Sequence, residues 1–84
     1  MTFLVLLNVP YDDWKIELVT NNLENAIDKI KTTHCNCIQV WANENMINEF
    51  FFSVRYDWDT EKEYQEHFQY EIEDFVYIIE NINI

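Results

Sequence analysis

The chain has 84 residues, 49% hydrophobic and 17% aromatic, and its sixteen acids against five Lys and Arg give a formal net charge of −11. A chain this short buries only about 60% of the surface its unfolded form exposes, so the core is thin, yet the apolar content lies far from that of a disordered acidic tail. The charge excludes a direct grip on phosphate backbones, which need clustered Lys and Arg, and makes a basic protein the partner attracted fastest.

"TFLVLLNV" (2–9) is a run of β-formers with both parities apolar, which predicts a central strand covered on both faces or nearly so. The run lacks a basic flank and a small-residue cleavage site, and Asn8 and Pro10 end it well short of a membrane span. "PYDD" (10–13) is turn chemistry, and in "WKIELV" (14–19) Trp14, Ile16 and Leu18 alternate with Lys15, Glu17 and Val19, the period of a half-buried strand closing a hairpin. "TNNLENAIDKIKTTH" (20–34) opens with Asn21 as expected N-cap and Glu24 three residues on, and places Leu23, Ala26, Ile27 and Ile30 on one helical stripe.

"CNCIQVWA" (35–42), the polar turn "NENM" and "INEFFFSVRY" (47–56) read as a second hairpin, with Ile38 and Val40 on one parity and Phe50, Phe52, Val54 and Tyr56 on another. From Thr60, a capping-box match to Glu63 opens a second helix whose apolar stripe runs Tyr64, Phe68, Ile72, Phe75, Ile79. The order is ββαββα: one α+β domain over residues 1–84, with a four-stranded, mainly antiparallel sheet and two helices packed on it. The chain has no glycine, so turns that need positive φ are expected to use Asn or Asp, and phosphate-cradling Gly-rich loops are excluded as motifs.

No catalytic, cofactor or metal motif emerges. "HCNC" (34–37) offers three ligand types but lacks the second Cys/His pair of a tetrahedral site, so Cys35 and Cys37 are read as small apolar thiols in a strand. Two cysteines so close, without a signal peptide, fit a reducing cytoplasm. His67 lies four residues from both Glu63 and Glu71 and is expected to be held by those carboxylates; Ser53 sits in a predicted strand, and the Asp12 and Asp13 pair in a turn suits solvent or a lone cation.

The segment 57–80 holds nine of the sixteen acids against one lysine. On a helical wheel centred on Phe68, the far side carries Glu63, Glu66, Tyr70, Glu73, Asp74 and Tyr77. Carboxylates alone describe a solvated face; two tyrosines about 10 Å apart within it are anchors of the kind enriched at interface hot spots. This face is the expected partner-binding surface. Eight net charges over about 36 Å approach the spacing of single-stranded DNA, and a duplex mimic would need further carboxylates such as Glu44 and Glu49, or a homodimer that aligns two helices.

In size, acidity and lack of a catalytic motif the chain resembles phage and mobile-element anti-defence proteins, including anti-CRISPR and anti-restriction inhibitors. The resemblance is one of overall character, and no functional residue is carried over from it. It implies a small, non-enzymatic inhibitor acting in the cytoplasm, the host cell's if phage-encoded, that blocks a basic surface of a nucleic-acid-binding protein or nuclease, with nucleic-acid mimicry as one route. An immunity protein that neutralises a toxic nuclease, and a structural subunit of a homo-oligomer packed through its tyrosines, are the alternatives. No cofactor, direct nucleic-acid contact or membrane is expected.

Overall fold

A computed structural model describes residues 1–7, 14–54 and 58–82. Its elements are strands β1 (Thr2–Leu7) and β2 (Lys15–Thr20), helix α1 (Leu23–Thr32), strands β3 (Cys37–Ala42) and β4 (Asn45–Phe51), and helix α2 (Glu61–Glu80). The strands form one sheet in the order β2-β1-β3-β4, every neighbouring pair antiparallel. The α+β class and the ββαββα order read from the sequence are therefore those of the structure. Contacts group the chain into two compact units, Met1–Phe51 and Phe52–Ile84.

In the first unit β1 is central, as its apolar run predicts. Paired residues in an antiparallel sheet share a face, so Phe3 with Val40 and Val5 with Ile38 point the same way, and all four are buried. α1 lies against β1 and β2, and the buried members of its stripe are Ala26 and Ile30. The helix carries β2 past β1 to β3, the crossover that two parallel, non-adjacent strands require. Its N-cap is Asn22, not Asn21: the Asn22 side chain accepts the Asn25 N–H at 3.0 Å, so the expected pairing of Asn21 with Glu24 is not the cap used. Both asparagines offer the same chemistry, and the Thr20 hydroxyl, accepting the Asn22 N–H at 3.1 Å, accompanies the entry one residue later.

Two further expectations are corrected. The alternation in 14–19 groups Ile16 with Leu18, but the β1–β2 register shifts between Val5 and Leu6: Leu18 pairs with Val5 and Ile16 with Leu6. A bulge of this kind reverses strand parity, so Leu18 is half-buried while Ile16 turns to the other face and is exposed. Burial along β1 does not follow a single parity. Phe3, Val5 and Leu6 are buried, whereas Thr2, Leu4 and Leu7 are only partly covered.

The β3–β4 hairpin closes through two residues, Asn43 at φ 52° and Glu44 at φ 69°, between the paired Ala42 and Asn45. Two positive φ angles match the twist of a two-residue hairpin, and a chain without glycine meets them with Asn as expected and also with Glu, which has no local side-chain compensation for the left-handed conformation. The turn at 10–13, with Asp12 and Asp13, and Tyr56 lie outside the described residues.

In the second unit α2 begins where the capping signal places it. Thr60 has extended backbone and its hydroxyl accepts the Glu63 N–H at 3.1 Å, with Glu61 and Glu63 favourably placed in the first turn. Phe68, Ile72, Phe75 and Ile79 are buried, and Tyr64 stacks on Phe68. Phe52 packs edge-on against both Phe68 and Phe75, with ring centroids 6.0 and 5.8 Å apart. At the other end, Asn81 donates its backbone N–H to Tyr77 and Ile78 carbonyls and its side-chain amide to the Tyr77 carbonyl at 2.7 Å. These bonds satisfy carbonyls that no basic side chain in the last turn serves.

Candidate functional site

The six residues expected on the outer face of α2 all lie there. Glu63, Glu66, Tyr70, Glu73, Asp74 and Tyr77 are exposed, and Tyr70 and Tyr77 are 67% and 68% accessible. At that exposure Tyr77 does not pack beneath the described part of the C-terminal tail. One side of this face forms a shallow groove lined by Glu66, Tyr70 and Glu73 together with Gln65 and Gln69. The two glutamines are absent from the sequence-level site. Gln65 donates to the Glu61 carboxylate at 3.0 Å and Gln69 to Glu73 at 3.3 Å, each four residues away, so they orient carboxylates. The i, i+4 spacing of Glu61–Gln65 and Gln69–Glu73 was the available signal.

Glu71 does not belong to this face. Its carboxylate accepts the Ser53 N–H at 3.1 and 3.2 Å and lies 3.4 Å from His67 Nε2, so it fastens the chain before the helix to the helix itself. His67 is thus paired with Glu71, one of its two expected neighbours, and its ring lies 4.6 Å from that of Trp58. The indole Nε1 of Trp58 is buried and finds no hydrogen-bond partner among the described residues. Ser53 engages Glu71 through its backbone, and this cluster sets a segment in place around the helix.

With Glu71 turned away and the helix starting at Glu61, α2 presents six carboxylates and Lys62, five net charges over about 30 Å, or roughly one per 6 Å. That spacing is wider than the ~3.4 Å of a single strand and far from the ~1.7 Å of a duplex. Glu44 and Glu49, the expected supplementary carboxylates, belong to the sheet unit. Glu44 is exposed in the β3–β4 turn. Glu49 is half-buried and accepts from Gln39 at 2.9 Å, while the Gln39 carbonyl accepts from Trp41 Nε1 at 3.1 Å. Its charge is engaged within the sheet.

Cys35 and Cys37 are both free and buried. Burial, reinforced by the Glu49 carboxylate, pushes the Cys37 thiol up from 9.0 to about 12. It is therefore neutral near pH 7, the less nucleophilic form of the thiol. Among the described residues no group of three His, Cys, Asp or Glu is arranged to hold a metal ion, and no helix is long and apolar enough to cross a membrane.

The sequence-level site also omits an apolar surface on the sheet. The register aligns three rows on one face: Thr2, Trp41 and Met46; Val19, Leu4, Gln39 and Glu49; Ile16, Leu6, Cys37 and Phe51. Ile16, Val19, Met46 and Phe51 are exposed. Trp14 meets Phe51 edge-on at 5.9 Å although β2 and β4 are the opposite edges of the sheet, so the pair reaches across the row that contains Leu6 and Cys37, which are buried. No protein-family model matches the chain, and comparison with curated proteins and with solved structures gives no significant match.

Proposed function

We propose that this chain is a non-enzymatic, protein-binding inhibitor whose α2 outer face occupies a basic surface on its target, one that normally holds nucleic acid. The observation that carries the reading is the pairing, on one regular helix, of two tyrosines more than two-thirds exposed with carboxylates on the same face. Tyrosine supplies contact area at small entropic cost, and the carboxylates pair Arg or Lys and speed encounter. The charge spacing favours occupation of a basic groove through side-chain pairs over close imitation of a duplex. The buried Phe68, Ile72, Phe75 and Ile79 beneath it give the face a rigid support, which lowers the ordering cost of binding.

The experiment is an inhibition panel. Purified RNA-guided and restriction nucleases are assayed for DNA cleavage with the wild-type protein and with Glu66→Lys/Glu73→Lys. The expected result is an enzyme that the wild type inhibits and that roughly 100-fold more of the double variant is needed to inhibit, with helical circular dichroism unchanged. Equal inhibition by both proteins rejects this face as the contact. An immunity role has the same physical basis and differs only in the target, so a toxic nuclease belongs in the panel.

A further inference from the structure

The open face of the sheet differs in kind from the rest of this acidic chain. Trp14, Ile16, Val19, Met46 and Phe51 are all exposed, with Val19 at 60% and Phe51 at 53%. Ile16 and Val19 on β2 and Met46 and Phe51 on β4 fall on three adjacent rows, Trp14 just before β2 meets Phe51, and the partly covered Leu4 and Trp41 on the two central strands lie between them. Isolated exposed apolar residues need no explanation; a contiguous set does. Together they present on the order of 500 Å² of apolar surface, at the upper end of what a monomer exposes without a partner.

We propose that this face is the contact between two copies of the chain, packed sheet face to sheet face about a twofold axis. Area is the first argument. Two such patches bring together ~1,000 Å², the lower bound for a specific interface, and the half-buried neighbours Leu4, Trp41 and Thr2 add to it. Charge is the second. Of the eleven side chains on the three rows, only Glu49 is ionisable as a carboxylate near neutral pH, and it already accepts from Gln39. A partner chosen for its basicity has little to pair with here, whereas another copy of the same apolar face meets no unpaired charge. Geometry is the third: sheet faces pack ~10 Å apart through interdigitated side chains, a contact that a twofold axis makes self-complementary. The interface does not depend on the α2 reading.

Because each copy carries a net charge of −11, the rest of the molecule opposes this association, and salt screens that opposition. The dimer therefore has an unusual signature: it tightens as ionic strength rises, whereas binding of α2 to a basic target weakens. Sedimentation equilibrium of the full chain at 1–200 µM in 50 and 500 mM NaCl tests this. The expected result is a monomer–dimer equilibrium whose Kd falls about tenfold or more at the higher salt. Ile16→Glu/Val19→Glu should be monomeric throughout with unchanged circular dichroism, since both side chains are already exposed, and Met46→Lys should weaken the dimer independently. Glu66→Lys/Glu73→Lys should dimerise at least as well as wild type. A wild-type chain that stays monomeric at 200 µM in 500 mM NaCl overturns the proposal. So does a dimer that survives both sheet-face variants, which would place the contact elsewhere. A monomer whose sheet-face variants lose inhibition of a nuclease found in the panel overturns it as well, and gives the face to the target.

Discussion

The open face of the sheet and the outer face of α2 are both exposed and both rich in large side chains, yet they are built on opposite physics. The sheet face sets five exposed apolar residues around one carboxylate that is already hydrogen-bonded. The helix face sets two tyrosines among carboxylates oriented by glutamines. The first gains from excluding water and is indifferent to the sign of its partner. The second, on the proposed reading, needs an oppositely charged partner and is sensitive to salt. A chain with sixteen acids can keep an apolar face only by assigning nearly all of those acids elsewhere, and nine of them fall in residues 57–80.

Five outcomes probe this division, from the largest effect to the smallest. Phe75, fully buried against Phe52, supports the helix face from beneath, and Phe75→Ala should cost about 3–5 kcal/mol in urea unfolding, a large part of the stability of so small a protein. Loss below about 1 kcal/mol would mean that the stripe does not anchor the helix. Glu66→Lys/Glu73→Lys should leave the urea midpoint nearly unchanged and cost about 3 kcal/mol in target affinity, separating the face from the fold.

Glu71→Ala should behave in the opposite way: it removes the acceptor for the Ser53 N–H and should destabilise by about 1–2 kcal/mol with little effect on target affinity. If it abolished binding without loss of stability, Glu71 would belong to the contact face. Cys37 reports on the sheet face through pH. Its thiol is raised in the folded state, so the unfolded chain releases that proton first and stability falls as pH climbs past 9.0. Between pH 8 and pH 10 the wild type should lose roughly 1 kcal/mol more than Cys37→Ala, and equal losses would show that burial does not hold the thiol neutral. The smallest effect is at the turn: Glu44→Gly relieves a left-handed Glu and should raise stability by about 1 kcal/mol, with dimerisation and target binding both unaltered.

The helix face was legible in the sequence because a helix carries its own coordinate system. The stripe Tyr64, Phe68, Ile72, Phe75, Ile79 fixes which side is buried, and the positions of Tyr70 and Tyr77 follow at once. Thr60 with Glu63 marks the start for the same local reason. The sheet face was not legible because its definition is non-local. Ile16 and Leu18 share a parity in the sequence, and only the register shift against Val5 and Leu6 sends them to opposite faces. Both parities of β1 are apolar, and nothing in "TFLVLL" says that a crossover helix covers one side while the other stays open. The cap at Asn22 in place of Asn21 is a smaller instance: two neighbouring asparagines are chemically equivalent until the Thr20 hydroxyl distinguishes them.

The central claim is that α2 meets a basic target through its outer face, and the salt dependence of that one interaction tests it most directly. Surface-immobilised nuclease from the inhibition panel would be titrated with the protein from 50 to 300 mM NaCl, wild type beside Glu66→Lys/Glu73→Lys. The wild-type Kd should rise steadily with salt, and the double variant should bind roughly 100-fold more weakly at 50 mM with a shallower dependence. A wild-type affinity that is flat or tighter at high salt, or one that the double variant retains, would contradict the account.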